Sequence, residues 1–82
     1  MGLVAAVFKL MPESTLDIGR IKEDVKSKFN VQDIKEIPVG FGINMLEVML
    51  IFDDKKGTGS VEQELSEIEG VASVESGDAT LI

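Results

Sequence analysis

Two segments of this chain are apolar on both faces of an extended strand, and that restricts what it can fold into more than any other feature. In the first, Val4, Ala6, Phe8 and Leu10 alternate with Leu3, Ala5, Val7 and Lys9. In the second, which runs from Ile43 to Phe52, Leu46, Val48, Leu50 and Phe52 alternate with Met45, Glu47, Met49 and Ile51. Strands of this kind belong in the interior of a sheet, where neighbours satisfy both edges and another layer covers a face. With 82 residues, the chain has enough material for one core and one domain, taken as residues 1–82.

Two helices accompany them. Asp17 is placed as the N-cap of a helix from about Ile18, in which Ile18, Ile21, Val25 and Phe29 recur at helical spacing. Arg20, Lys22, Glu23, Asp24, Lys26 and Lys28 fill the remaining surface as a solvated outer face, and Asn30 stops the helix. The second helix follows Gly57-Thr58-Gly59. Ser60 and Gln63 have the spacing of a capping box, Val61, Leu65 and Ile68 form a narrow stripe, and Gly70 is a C-terminal cap.

Weaker strand patterns lie between about Gln32 and Val39 and from Val71 to about Asp78, leaving Leu81 and Ile82 as a tail. Pro38 removes a backbone donor and assigns the first of these to a sheet edge. The order strand, helix, strand, strand, helix, strand predicts a ferredoxin-like α+β sandwich. Right-handed crossovers then place both helices on one face of a four-stranded antiparallel sheet ordered fourth, first, third, second. Leu3, Ala5, Val7, Met45, Met49 and Ile51 point to the opposite face. The residues leave two readings of that face: a partner surface, or ordinary strand positions shielded in part by Lys9 and Glu47.

Composition narrows the functions available. A hydrophobic fraction of 44% and a charged fraction of 28% describe a globular chain. No apolar run approaches the roughly 20 residues of a membrane span. The apolar N-terminus lacks the basic lead of a signal peptide and runs straight into Lys9, so a cytoplasmic protein is expected. Cysteine and histidine are both missing, which removes disulfides, thiol nucleophiles, Cys/His zinc sites and the commonest general base. Eight basic residues against fifteen acidic give a net charge of −7, which argues against direct binding of nucleic acid and for a protein partner.

Local motifs add little chemistry. Gly57-Thr58-Gly59-Ser60 precedes a helix N-terminus but lacks the spacing and lysine of a nucleotide loop, and Glu62 and Glu64 repel an anion there. Asp53 and Asp54 lack the alternating oxygen ligands of a calcium loop and are read as solvated. The methionines are packing residues. Gly40-Phe41-Gly42 stands apart, because an aromatic between two glycines has little local scaffold to bury it. From the residues alone, Phe41 either returns to the core or anchors a partner.

Lys9-Leu10-Met11-Pro12-Glu13-Ser14, Pro38-Val39-Gly40-Phe41-Gly42-Ile43 and Ile68-Glu69-Gly70-Val71, in this order and spacing, resemble the archaeal elongation factor 1-beta family over essentially the whole chain. The resemblance implies a guanine nucleotide exchange factor that acts on elongation factor 1-alpha, promotes release of GDP and makes no covalent bond. It implies no catalytic residue, cofactor or metal, and it makes Phe41 a partner anchor, since the aromatic of this turn in eukaryotic relatives contacts the second domain of the GTPase. Gly40, Phe41, Gly42, Leu81 and Ile82 are therefore the expected partner-binding residues. Leu81 departs from the eukaryotic pattern, which has a lysine next to the C-terminal residue that approaches the Mg²⁺ site. The extra N-terminal domain of those relatives is not expected either.

Two other functions fit the topology. A small-molecule regulatory or protein-interaction module would pair through its sheet face. An acylphosphatase-like enzyme would need an arginine in the loop after the first strand, where Met11-Pro12-Glu13-Ser14-Thr15 has none; Arg20 is the chain's only arginine.

Overall fold

In the computed structural model, which describes residues 2–40 and 42–82, the alternating segments become the two central strands. The chain runs β1 (Leu3–Pro12), a 3₁₀ turn (Thr15–Asp17), α1 (Ile18–Lys28), β2 (Asn30–Gly40), β3 (Ile43–Asp53), α2 (Thr58–Ser66) and β4 (Val71–Leu81). The sheet order is β2-β3-β1-β4, and all three pairings are antiparallel. The two strands that are apolar on both faces are interior, and the strand carrying Pro38 is an edge, as their sequences require.

Register divides the sheet into two faces. Val4 pairs with Phe52, Ala6 with Leu50, Phe8 with Val48 and Leu10 with Leu46. These residues, apart from the partly buried Val4, are buried together with Ile18, Ile21 and Val25 of α1, Val61 and Leu65 of α2, and Ile68 and Val71 beyond it. Both helices therefore cover one face. The loss of water from each large apolar side chain in that layer contributes on the order of 1.5–3 kcal/mol.

Three boundaries and one capping contact differ from expectation, each for a local reason. The first helix ends at Lys28, with Phe29 already extended and its N–H donating to Val25 O at 2.9 Å, so Asn30 opens β2 rather than stopping the helix. Asp17 occupies the N-cap position but makes no side-chain cap; its carboxylate instead takes the Arg20 guanidinium at 3.0 Å. The Ser60–Gln63 capping box does not form either. After β3 the chain turns on Asp53, whose carboxylate accepts the Lys55 N–H at 2.9 Å and whose carbonyl accepts the Lys56 N–H at 3.0 Å. This Asx turn delivers Gly57 as the N-cap, and Ser60 falls inside the first turn of α2. Asp53 is thus a turn-former and not merely a solvated charge. Finally, β4 continues past Asp78 to Leu81, because Val4, Ala5 and Ala6 of β1 pair with Leu81, Thr80 and Ala79.

Gly70 does not cap α2, which ends at Ser66 with Glu67 as its C-cap; it closes the turn into β4, and that place requires glycine for two separate reasons. Its φ is 97°, and a Cβ there would lie 3.0 Å from the Asp17 side chain and 3.3 Å from Arg20. Only glycine fits where the exit of α2 crosses the entry of α1.

Candidate functional site

Of the five expected partner-binding residues, the four that the structure describes, Gly40, Gly42, Leu81 and Ile82, lie at opposite ends of the sheet. β1 and β2 run toward one end of the sheet, and β3 and β4 run back from it. The turn between β2 and β3 lies at the first end and the C-terminal tail at the other. Leu81 pairs with Val4, and Val4 with Phe52. From Ile43 to Phe52, at about 3.3 Å per residue, the separation is roughly 30 Å, along a molecule whose longest extent is 42 Å.

At the hairpin end, Gly40 pairs with Ile43, after a register shift at Val39. Gly40 has φ 110° and Gly42 φ 74°, both in the region that L side chains resist. A Cβ at either position would meet nothing within 4 Å. The glycines are needed for the path of the chain and not for space. Phe41 itself lies outside the described residues. Its neighbours Val39 and Ile43 are exposed.

Sequence reasoning overlooked one residue at this end. Leu16, in the 3₁₀ turn between β1 and α1, is 90% exposed, and its N–H donates to Ser14 Oγ at 3.2 Å. It lies off the Ile18–Ile21–Val25 stripe, two residues before that stripe begins. That mismatch of spacing was the available signal.

Beneath the hairpin, Glu36 of β2 ties the arm to the body. The Lys22 ammonium on α1 donates to Glu36 Oε1, and Asn44 Nδ2 donates to Oε2 at 3.4 Å. The hydrogen bond and the charge of Lys22 hold the Glu36 carboxyl below the ordinary glutamate value of 4.5, with Asn44 adding to the effect.

The tail end is built differently. The Ile82 N–H donates to Leu3 O at 2.7 Å, and the Asp54 N–H donates to Gly2 O at 3.1 Å. Leu81 and Ile82 are each 67% exposed, beside the half-exposed Leu3. A Cβ on Gly2 would lie 3.1 Å from the Asp54 carboxylate and 3.3 Å from Leu81 Cδ1, so an acidic group borders this apolar corner. Lys56, in the same β3–α2 turn, is committed to Glu64 at 2.9 Å and stands 5.5 Å over the Phe29 ring. An open groove of about 570 Å³ lined by Lys26, Phe29, Asn30 and Val31 lies where α1 passes into β2; it includes none of Gly40, Gly42, Leu81 and Ile82. No helix of the described residues is long and apolar enough to cross a membrane.

The architecture is that of ferredoxin-like α+β sandwiches, and two solved structures are similar to it. The ACT domain from GTP pyrophosphokinase of Chlorobium tepidum superimposes with a TM-score of 0.65 at 20% identity, over 94% of this chain and all of that one. LarC2, the C-terminal domain of a cyclometallase, gives 0.55 at 8% identity over all of this chain and 56% of that one. Identities this low speak to the fold alone. The chain belongs to the EF-1 guanine nucleotide exchange domain family, whose pattern matches residues 5–80. It is 43% identical to elongation factor 1-beta of Methanosphaerula palustris, over 99% of each chain. Against elongation factor 1-beta of Methanoculleus marisnigri it is also 43% identical, over the full length of both. The relative from Methanothermobacter thermautotrophicus is 37% identical over 92% of this chain and 91% of its own. The resemblance drawn from the sequence motifs therefore holds, and it carries a role in nucleotide exchange during translation elongation.

Proposed function

We propose that this chain, acting through residues 1–82 as one exchange domain, promotes release of GDP from elongation factor 1-alpha so that GTP can rebind. The observation that carries the reading is the family match over residues 5–80, with full-length relatives that bear the name elongation factor 1-beta. The chain supplies binding energy and makes or breaks no bond. A partner that binds the nucleotide-free GTPase more tightly than the GDP-bound form must weaken GDP binding by the same factor. Every group assigned to the work is a docking group: Phe41, set in a turn that Gly40 and Gly42 shape, at one end, and Leu81 and Ile82 at the other.

A leucine cannot compete for the ligands of Mg²⁺, so the tail acts by occupying space rather than by charge. The acidic surface suits a basic protein partner and disfavours direct contact with nucleic acid or anionic membrane. The place of action is the cytoplasm, where translation occurs.

The test is release of labelled GDP from a matched elongation factor 1-alpha. Stoichiometric amounts of this chain are expected to accelerate release. An unchanged rate, with a folded factor and an active GTPase, would overturn the proposal.

A further inference from the structure

The hairpin arm has little of its own to hold it against the body. β1 ends its register with β3 at Leu10 and Leu46. Beyond that row β3 is paired with β2, through Ile37 with Met45, Pro38 with Asn44 and Gly40 with Ile43. Ile34 is the last residue of β2 packed against the core, and none of the described residues from Lys35 to Met45 is buried. A two-stranded ribbon without a buried face is marginal in water. Whatever fixes the angle of this arm has to be polar.

Glu36 stands at the base of the arm. It registers with Leu46, which is buried beneath the helices, so its side chain lies on the helix side of the sheet. One carboxylate oxygen takes the body and the other takes the arm. Oε1 accepts from the Lys22 ammonium, and Oε2 accepts at 3.4 Å from Asn44 Nδ2, two residues further out along β3. Lys22 follows Ile21 on a helix whose Ile18, Ile21 and Val25 are buried, so the ammonium hangs from the packed body. Among the ion pairs of the described residues, this pair alone joins a helix to either strand of the arm.

We propose that Glu36, held by Lys22, is a positioning residue for docking: it fixes the angle at which the turn carrying Phe41 is presented to elongation factor 1-alpha. The inference rests on the exchange reading, and Glu36 acts through the turn rather than by touching the GTPase. An ion pair this open to solvent adds little to global stability. The arm, however, needs only a bias between orientations. If loss of the brace leaves about one arm in ten in the docking orientation, affinity falls about tenfold while the docked complex itself is unchanged. Docking affinity therefore responds to the brace far more than the melting of the whole fold does.

Charge reversal in the intact chain tests this. Lys22→Glu sets two carboxylates against each other and Glu36→Lys two ammonium groups, while the double variant restores an opposite-sign pair. Lys26→Glu, one turn along α1 and in no ion pair of the described residues, changes the net charge as Lys22→Glu does and controls for general repulsion. Each single reversal is expected to speed amide hydrogen exchange across residues 37–45 about tenfold, with Phe8 and Leu50 unchanged. Each should also raise about tenfold the concentration that gives half-maximal GDP release, with the maximal rate unchanged. Lys26→Glu should do neither, and the double variant should return both quantities to within about threefold of the unmodified chain. Arm amides equally protected in every variant, single reversals that leave the half-maximal concentration unaltered, a double variant no better than the singles, or a control that matches Lys22→Glu would each overturn the proposal. Hydrogen exchange needs no GTPase, so a brace that does not hold the arm is distinguished from a failure of the exchange reading, in which the unmodified chain itself leaves GDP release unchanged.

Discussion

The hairpin end and the tail end of this sheet both present exposed apolar residues, but they are held by opposite means. At the hairpin, Gly40 and Gly42 each have positive φ with open space where a Cβ would stand, and the arm is tied to the body chiefly by side chains, Glu36 with Lys22 and Asn44. At the tail, Leu81 and Ile82 are secured by backbone, through the pairing with Val4 and the bond from Ile82 N–H to Leu3 O. A turn fixed mainly by its own dihedrals can carry a large side chain out to a partner without disturbing the core. A tail stitched into the sheet has little freedom to move. On the proposed reading, reach belongs to the hairpin end and position to the tail end.

The largest expected effect probes reach. On the proposed reading, Phe41→Ala weakens association with elongation factor 1-alpha by about 30-fold, corresponding to about 2 kcal/mol for a buried aromatic anchor. Its unfolding free energy should change by less than about 1 kcal/mol, the range of surface substitutions. Titration of the GTPase and a denaturant melt read the two quantities separately. A loss of several kcal/mol in stability would mean that Phe41 is core, and the hairpin would then lose its role as the reaching end.

Next come the glycines. Gly42→Ala meets no neighbour, so the cost is the left-handed backbone alone, about 1–2 kcal/mol. If the turn relaxes instead of the fold weakening, the loss appears in partner affinity and not in the melt. Either outcome locates the strain in the turn; a variant unchanged in both would remove the conformational argument.

At the tail, removal of Leu81 and Ile82 breaks one backbone hydrogen bond and one edge pairing, for a stability loss of about 1 kcal/mol. The truncated chain should still bind the GTPase through the hairpin but release GDP more slowly, since its steric wedge is gone. Binding and release measured on the same variant distinguish these roles. Loss of binding equal to that of Phe41→Ala would show that the two ends do not divide the work.

How much of this was legible in advance depended on where each residue faces. The interior strands announced themselves because Leu3 to Leu10 and Ile43 to Phe52 are apolar on alternating positions of both faces, a pattern that only an interior strand explains. The end of β4 did not, because Ala79, Thr80 and Leu81 sit on an edge and bury too little to leave a pattern. Ser60 and Gln63 had the right letters for a capping box, but the entry into α2 is set upstream by the Asx turn at Asp53, which no spacing rule within the helix contains. Leu16 escaped notice as a single apolar residue in a polar stretch. For the site, composition and pattern reached an acidic domain with a candidate aromatic anchor. The identity of the family came from whole motifs, because partner choice is written in side chains that the fold itself does not need.

The smallest effect concerns the brace under the hairpin. Lys22, through its hydrogen bond and charge, holds the folded Glu36 carboxyl below its ordinary value of 4.5, and the Asn44 amide acts in the same direction. A lowered folded value means that the folded state binds this proton less readily than the unfolded chain does. Glu36 therefore contributes stability above about pH 4.5, and the contribution disappears as pH falls through the folded value. Glu36→Gln imitates the protonated form. Its stability should lie slightly below that of the unmodified chain at pH 7, and the two curves should converge in acid. Because the pair is partly exposed, salt should narrow the gap at neutral pH. An offset that stays constant from pH 7 down to pH 3 would show that the brace acts by shape and not by charge. The hairpin arm would then be held, like the tail, by geometry alone.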